Sequence, residues 1–335
     1  MVKALVIGGS GFLGRAIVQR LLARGDAVRS FSRRVHPDLQ RPGIEVVRGD
    51  VRDAEAVAAA CAGREIVFHV AAKAGIWGRR ADYYETNVRG TQNVIAACRQ
   101  QGVPRLVFTS SPSVVFDGTD MAGIDESVPY ARHYQAHYPA TKAAAERMVL
   151  AANGDRLATV ALRPHLIWGP GDTQLVPRII ARRRWLRRIG DLDKPVDSTY
   201  IDNAAEAHVL AGDRLGLDSA AAGRAYFISQ GEPRGVWDLI NGILAAAGRP
   251  PIERRMRPVT ALAAGAVFEA LYGLLGLRRE PPLTRFLARQ LSTAHWFDIA
   301  AARRDLGYEP RVSIDEGLRR LAEWLRSRGE EQRAD

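Results

Sequence analysis

Cysteine and lysine are scarce in this chain. Its two cysteines, Cys61 and Cys98, stand at no ligand-like spacing, so neither a disulfide framework nor a thiolate metal site is expected. That usage fits a reducing, cytoplasmic protein. Lysine occurs four times, at Lys3, Lys73, Lys142 and Lys194, so the formal charge of +11 is almost wholly arginine. Because the arginines are scattered, a nucleic-acid partner is not expected. The one dense run, Arg182-Arg183-Arg184-Trp185-Leu186-Arg187-Arg188, leaves two readings open. It is either a solvated helix face or a contact for phosphate, an acidic carrier or an anionic membrane surface. The chain opens directly on the apolar run Val2–Ile7, and no cleaved leader is expected ahead of it.

What is present is an alternation of short apolar runs and helical patterns. Strands are expected at Ala4–Ile7, Ala27–Ser32, Val46–Val47, Ile66–Ala71, Leu106–Ser110 and Thr159–Arg163. Helices are expected from about Phe12 to Arg24, over Asp53–Ala62, around Asp82–Gln101 and through Lys142. Strands joined by helices imply right-handed crossovers. The fold class is therefore α/β: a Rossmann-like, doubly wound parallel sheet. Residues 1–170 are read as the nucleotide-binding domain, with elements around 199–212 and 225–228 returning to it. Residues 171–335 are read as a smaller, mostly helical substrate region. Within it, Val259–Leu277 is nearly all apolar and reaches membrane-spanning length, interrupted by Glu269. A lid over a long-chain pocket, a helix resting on a membrane and a packed core helix all stay open there.

Gly8, Gly11 and Gly14 follow the first strand and open the first helix, with Phe12 and Leu13 between them. In that position glycines allow a tight turn and close approach of backbone to a pyrophosphate, which the helix N-terminus receives. The second strand ends in Phe31-Ser32-Arg33-Arg34. A carboxylate there would bind the adenosine 2′-hydroxyl; its replacement by Ser32 and Arg33 favours NADP(H) over NAD(H). Asp50 and Val51 after the third strand, and Ala71 and Ala72 after the fourth, are further cofactor candidates.

Tyr138 and Lys142 lie four residues apart, one turn along a helix. A lysine so placed is expected to lower the phenol pKa from about 10 and to hold the nicotinamide ribose. Hydride transfer at a carbonyl needs a proton on oxygen, and Tyr138 is the candidate donor. Ser111, with Ser113 behind it, is the candidate to polarise the substrate oxygen. Asn87 is read either as a backbone or water organiser near the lysine or as a structural asparagine.

These residues resemble the extended short-chain dehydrogenase/reductase superfamily over nearly the whole chain. Ser110–Gly118, Arg163–Pro170 and Gln174–Pro177 look like the 3β-hydroxysteroid dehydrogenase and sterol-4α-carboxylate 3-dehydrogenase branch. Ala71–Gly78 looks most like the 2-alkyl-3-oxoalkanoate reductases of bacterial long-chain olefin biosynthesis. The resemblance implies NADPH-dependent reduction of a long-chain 2-alkyl-3-oxoalkanoic acid to its 3-hydroxy acid. It adds Pro164 and His165 to the cofactor wall. Either branch carries a carboxylate beside the reacting carbon, for which Lys73 and His165 are candidate partners. A sterol acid dehydrogenase, a nucleotide-sugar epimerase or dehydratase, and a non-catalytic NADP(H) sensor are the competing readings. A homodimer, membrane association and assembly with partner enzymes stay open.

Overall fold

The computed structural model of the protein describes residues 1–334, with side chains described to residue 328; Asp335, the last residue of the expected 171–335 region, lies outside the described residues. Seven strands form the main sheet: β1 (Lys3–Ile7), β2 (Ala27–Ser32), β3 (Ile44–Arg48), β4 (Ile66–His69), β5 (Arg105–Thr109), β6 (Ala158–Pro164) and β7 (Arg224–Ile228). Their order is β7-β6-β5-β4-β1-β2-β3, and every pairing is parallel. The strand order reverses between β1 and β4, which opens a crevice at their carboxyl ends.

Both faces are covered, and β1 shows how. Ala4 and Val6 point into one core cluster, Leu5 and Ile7 into the other, as the two-residue period of a strand requires. The first cluster packs against α1 (Phe12–Ala23) through Ile17, Val18 and Leu21, and against a later helix, Ile201–Arg214. The second packs against α2 (Ala54–Cys61), α3 (Gly90–Gln100) and α4 (His137–Ala151). Both cysteines sit free and buried in that second layer.

Two features depart from the sequence pattern. The helix expected around 82–101 is not uniform: one α turn, Arg80–Tyr83, leads into a π-helical stretch, Tyr84–Arg89, before α3 begins. The later region, expected to be mostly helical, shares a four-stranded sheet of Arg234–Gly235, Pro195–Val196, His295–Phe297 and Met121–Ile124. Strands of two to four residues are too short to leave a periodic signal. The apolar run near residue 260 forms α5 (Pro258–Leu274), and among the described residues no helix is long and apolar enough to cross a membrane.

One buried ion pair ties α4 to β6. Arg163 donates to both carboxylate oxygens of Glu146, at 2.7 to 3.2 Å, and the Tyr130 hydroxyl donates to the same carboxylate at 2.7 Å. Both side chains are essentially inaccessible to water. Arg163→Met is expected to lower unfolding free energy by about 3–5 kcal/mol, because it strands a buried carboxylate. The double change Glu146→Leu/Arg163→Met is expected to recover most of that loss. Urea denaturation of the two variants checks both.

Candidate active site

The crevice at the β1–β4 switch point is a groove of about 900 Å³. At its centre, β1 gives way to the turn Gly8–Gly11 and then to α1. Gly8 has φ +93°, and a Cβ there would lie 2.7 Å from the amide nitrogen of Ala71. Only glycine permits both the turn and that contact. Gly11 caps α1 without a side-chain hydrogen bond, so the first amide N–H groups remain free for an anion. Gly8, Gly11, Phe12, Leu13, Gly14, Ala71 and Ala72 all line the groove. This glycine cradle fits the pyrophosphate of a dinucleotide.

Ser32, Arg33, Asp50 and Val51 line one end. Arg33 and Arg34 are exposed, and neither pairs with a carboxylate among the described residues. The Arg48 Nε donates to the Arg33 carbonyl at 3.2 Å and brings a third guanidinium to this end. Sequence reasoning missed it because β3 proved longer than its two most apolar residues. Ser32 lines the groove and has local hydrogen-bond partners. Its hydroxyl accepts from the Ser10 N–H at 3.0 Å and donates to the Phe31 carbonyl at 2.7 Å, so its one proton is already engaged. The Asp50 carboxylate is gripped by Arg52, at 2.7 and 3.1 Å, which holds its pKa below the usual range.

Tyr138, Lys142 and Ser111 line the opposite end, with Pro164. The Lys142 Nζ donates to the Thr109 carbonyl at 2.5 Å and stands 3.9 Å from the centre of the Phe108 ring. Burial pulls its pKa down to about 7, and Glu146, one turn further along α4, opposes the fall. Burial also raises the Tyr138 phenol above its ordinary value, against a hydrogen bond from Ser111. The expected lowering of the phenol by Lys142 is therefore not what this groove produces. Burial dehydrates both groups, and the Lys142 ammonium directs one proton to Thr109. Ser113 lies behind the groove and supports Ser111, the two hydroxyls being 2.9 Å apart.

Asn87 does not reach the groove. Its Oδ1 accepts from the Lys73 N–H at 2.7 Å, and its Nδ2 donates to the Lys73 carbonyl at 3.1 Å and to Thr141 Oγ1 at 3.0 Å. It clamps the loop after β4 to α4 beside Lys142, and the π turn aims it there. Two expected substrate contacts are corrected. The Lys73 ammonium lies 3.9 Å from Asp82 and 5.1 Å from the centre of the Tyr83 ring, and it lines neither hollow. The His165 ring is buried against His295 and Phe297, with centroids at 5.6 and 5.3 Å, which holds its pKa well below the histidine norm. A neutral ring facing away from the groove supplies no cation, and it is absent from the cofactor wall too. Its neighbour Leu166 lines the groove instead, at φ +43°, an uncommon conformation for a side-chain-bearing residue.

A second hollow of about 230 Å³ adjoins the start of α4. Ile76, Trp77, Tyr134, His137, Glu269 and Phe286 are among its walls. Its residues come from four separate stretches of chain, which is why no sequence motif announced it.

The family model for the 3-beta hydroxysteroid dehydrogenase/isomerase family matches residues 5–256. The chain is 55% identical to a 2-alkyl-3-oxoalkanoate reductase of Stenotrophomonas maltophilia, over 96% of this chain and 98% of that protein. It is 50% identical to the protein of the same name from Shewanella oneidensis, over 95% of this chain and 85% of that one. Among solved structures, gox2253 superposes with a TM-score of 0.79 at 26% identity, covering 98% of this chain and 99% of the other. The chain belongs to the 3-beta hydroxysteroid dehydrogenase/isomerase family and is an NAD(P)-dependent oxidoreductase.

The Lys142 ammonium sets a pH dependence. Its pKa is about 7 in the fold and about 10.4 in the unfolded chain. Between those values the unfolded state binds more protons, so this group makes stability rise with pH through that window. Below about 7 both states are protonated and the contribution is flat. Lys142→Met is expected to abolish the rise, as read by denaturant midpoints of the cofactor-free protein across the window.

Proposed function

We propose that this member of the 3-beta hydroxysteroid dehydrogenase/isomerase family reduces a long-chain 2-alkyl-3-oxoalkanoic acid to the 2-alkyl-3-hydroxyalkanoic acid, with NADPH as reductant. The observation that carries the reading is the convergence of Tyr138, Ser111 and Lys142 at one end of the nucleotide groove, beside a hollow that mixes apolar residues (Ile76, Trp77, Phe286) with polar ones. The names of the two relatives at 50 and 55% identity supply the substrate class.

When bound, the reduced nicotinamide supplies the hydride that the carbonyl carbon receives. The protein's residues do the rest. Ser111 donates a hydrogen bond to the carbonyl oxygen and draws electron density from the carbon. Tyr138 gives its hydroxyl proton to that oxygen, closing the balance of one hydride and one proton per alcohol formed. A phenol held above its ordinary pKa is protonated at neutral pH, as reduction requires. Lys142 is fixed by Thr109 and Phe108, within reach of the groove, where its ammonium offsets the negative charge that Tyr138 gains on giving up its proton. Ile76, Trp77 and Phe286 offer apolar surface for the alkyl chains.

The preference for NADPH rests on Arg33, Arg34 and Arg48 at the adenosine end, where no carboxylate follows β2 to repel a 2′-phosphate. Three guanidiniums around an exposed edge form a site for a dianion.

Free β-keto acids decarboxylate, so the reverse reaction is the cleaner assay. Purified protein with NADP+ and a long-chain 2-alkyl-3-hydroxy acid is expected to produce NADPH. Tyr138→Phe is expected to lower kcat by about 10²–10⁴-fold while NADP+ binding persists. Arg33→Ala is expected to reduce the preference for NADP+ over NAD+ about tenfold. Oxidation of a 3β-hydroxysterol acid in place of the alkyl hydroxy acid overturns the substrate assignment.

A further inference from the structure

The helix α5 is inside out. Its inner face holds the polar groups: Glu269 accepts from the Arg285 N–H and Nε, each at 2.7 Å, and Tyr272 meets Trp77 edge-on at 6.3 Å. Ala261 and Gly265 are buried beneath it, the glycine against the backbone of residues 284 and 285. Its outer face carries Val259, Ala263, Ala266, Val267, Ala270, Leu271 and Leu274, which recur at helical spacing with no charge among them. Val267 is 65% exposed and Leu274 87% exposed. A helix facing water ordinarily has the opposite distribution.

Arginines frame this face. Arg254, Arg255 and Arg257 precede the helix, and Arg278 and Arg279 follow it, all exposed. The dense arginine run lies alongside. Arg182 and Arg178 pair with Glu280 just past the helix's C-terminal end, while Arg188–Ile189 pairs with Arg255–Met256 just before its N-terminus. The segment between them folds as a turn over Arg182–Leu186 and presents Trp185, 79% exposed. Of the nearby carboxylates, Glu280 and Asp191 are ion-paired with arginine, and Glu253 is exposed beside Arg254, so arginines outnumber acids around the face.

We propose that this face is an interfacial membrane site: α5 lies flat on an anionic lipid surface, its apolar stripe in the acyl boundary and its arginine frame among the headgroups. Charge decides between occupants. A second copy of the chain, related by a two-fold axis, would set arginine frame against arginine frame; anionic lipid complements them. Length decides between lying and spanning. Seventeen residues of helix reach about 25 Å, short of the roughly 30 Å hydrocarbon core. The inner face of α5 also contributes Glu269 to the hollow beside α4. The surface stands independently of the substrate assignment, since vesicle binding is read without turnover.

The test is flotation of the full-length protein with phosphatidylcholine vesicles, with and without phosphatidylglycerol. The protein is expected to float only with the anionic vesicles, and Trp185 emission to shift to the blue. Val267→Asp/Leu271→Asp is expected to weaken binding about tenfold or more, with its circular dichroism unchanged. Arg183→Gln/Arg184→Gln/Arg187→Gln is expected to weaken it about fivefold per arginine at low salt, an effect lost near ~1 M salt. Failure to float with anionic vesicles overturns the proposal, as does flotation indifferent to Val267→Asp/Leu271→Asp. Sedimentation as a dimer that the same double change dissolves assigns the face to a second copy instead.

Discussion

The grip of Arg163 on Glu146 is the constraint on which the reaction geometry rests. Glu146 lies one turn after Lys142 and two after Tyr138 on α4, and Arg163 immediately precedes Pro164 at the end of β6. The same contact therefore fixes the helix that carries the phenol and the strand whose tip closes the groove. It does so in the dry interior, where an ion pair is stiff and its geometry specific. Glu146 also opposes the fall in the Lys142 pKa that burial causes. Position and charge at the site come from one buried carboxylate.

Around this anchor the groove is assembled from strand ends. The cradle comes from β1, the arginine end from β2 and β3, the wall of small residues from β4, and the serines from the loop after β5. Loops at the carboxyl edge of a parallel sheet are free to differ while the sheet stays constant, so chemistry concentrates there. The second hollow follows a different logic. Its residues belong to the loop after β4, the approach to α4 and the packing of α5 on the segment after it. The nucleotide site belongs to the sheet; the hollow belongs to the additions.

That division explains what the sequence made legible. Ala4–Ile7 and its glycine turn are read easily, because a buried strand and a glycine-opened helix are both local patterns. Tyr138 and Lys142 are equally plain, since helical spacing alone places them together. Lys73 and His165 are expected at the site because the resembled branches carry a carboxylate beside the reacting carbon, and a resemblance does not say where a side chain turns. Lys73 swings toward Asp82, and His165 folds under toward His295, because local partners claim them. The small second sheet leaves no trace in the pattern, its strands being short and far apart in sequence. Arg48 escaped notice because β3 is half-exposed, so its alternation is weak.

The π turn over Tyr84–Arg89 has a consequence for how this segment tolerates change. A π turn spends one more residue per turn than the helix around it needs. Each residue of an α-helix turns the chain by about 100°, so shortening the stretch by one would swing Asn87 that far around the axis, off both Lys73 and Thr141. The segment is thus forgiving of side-chain identity at its exposed positions and strict about length. Insertions and deletions, tolerated in most surface loops, would here uncouple the loop after β4 from the helix bearing the phenol.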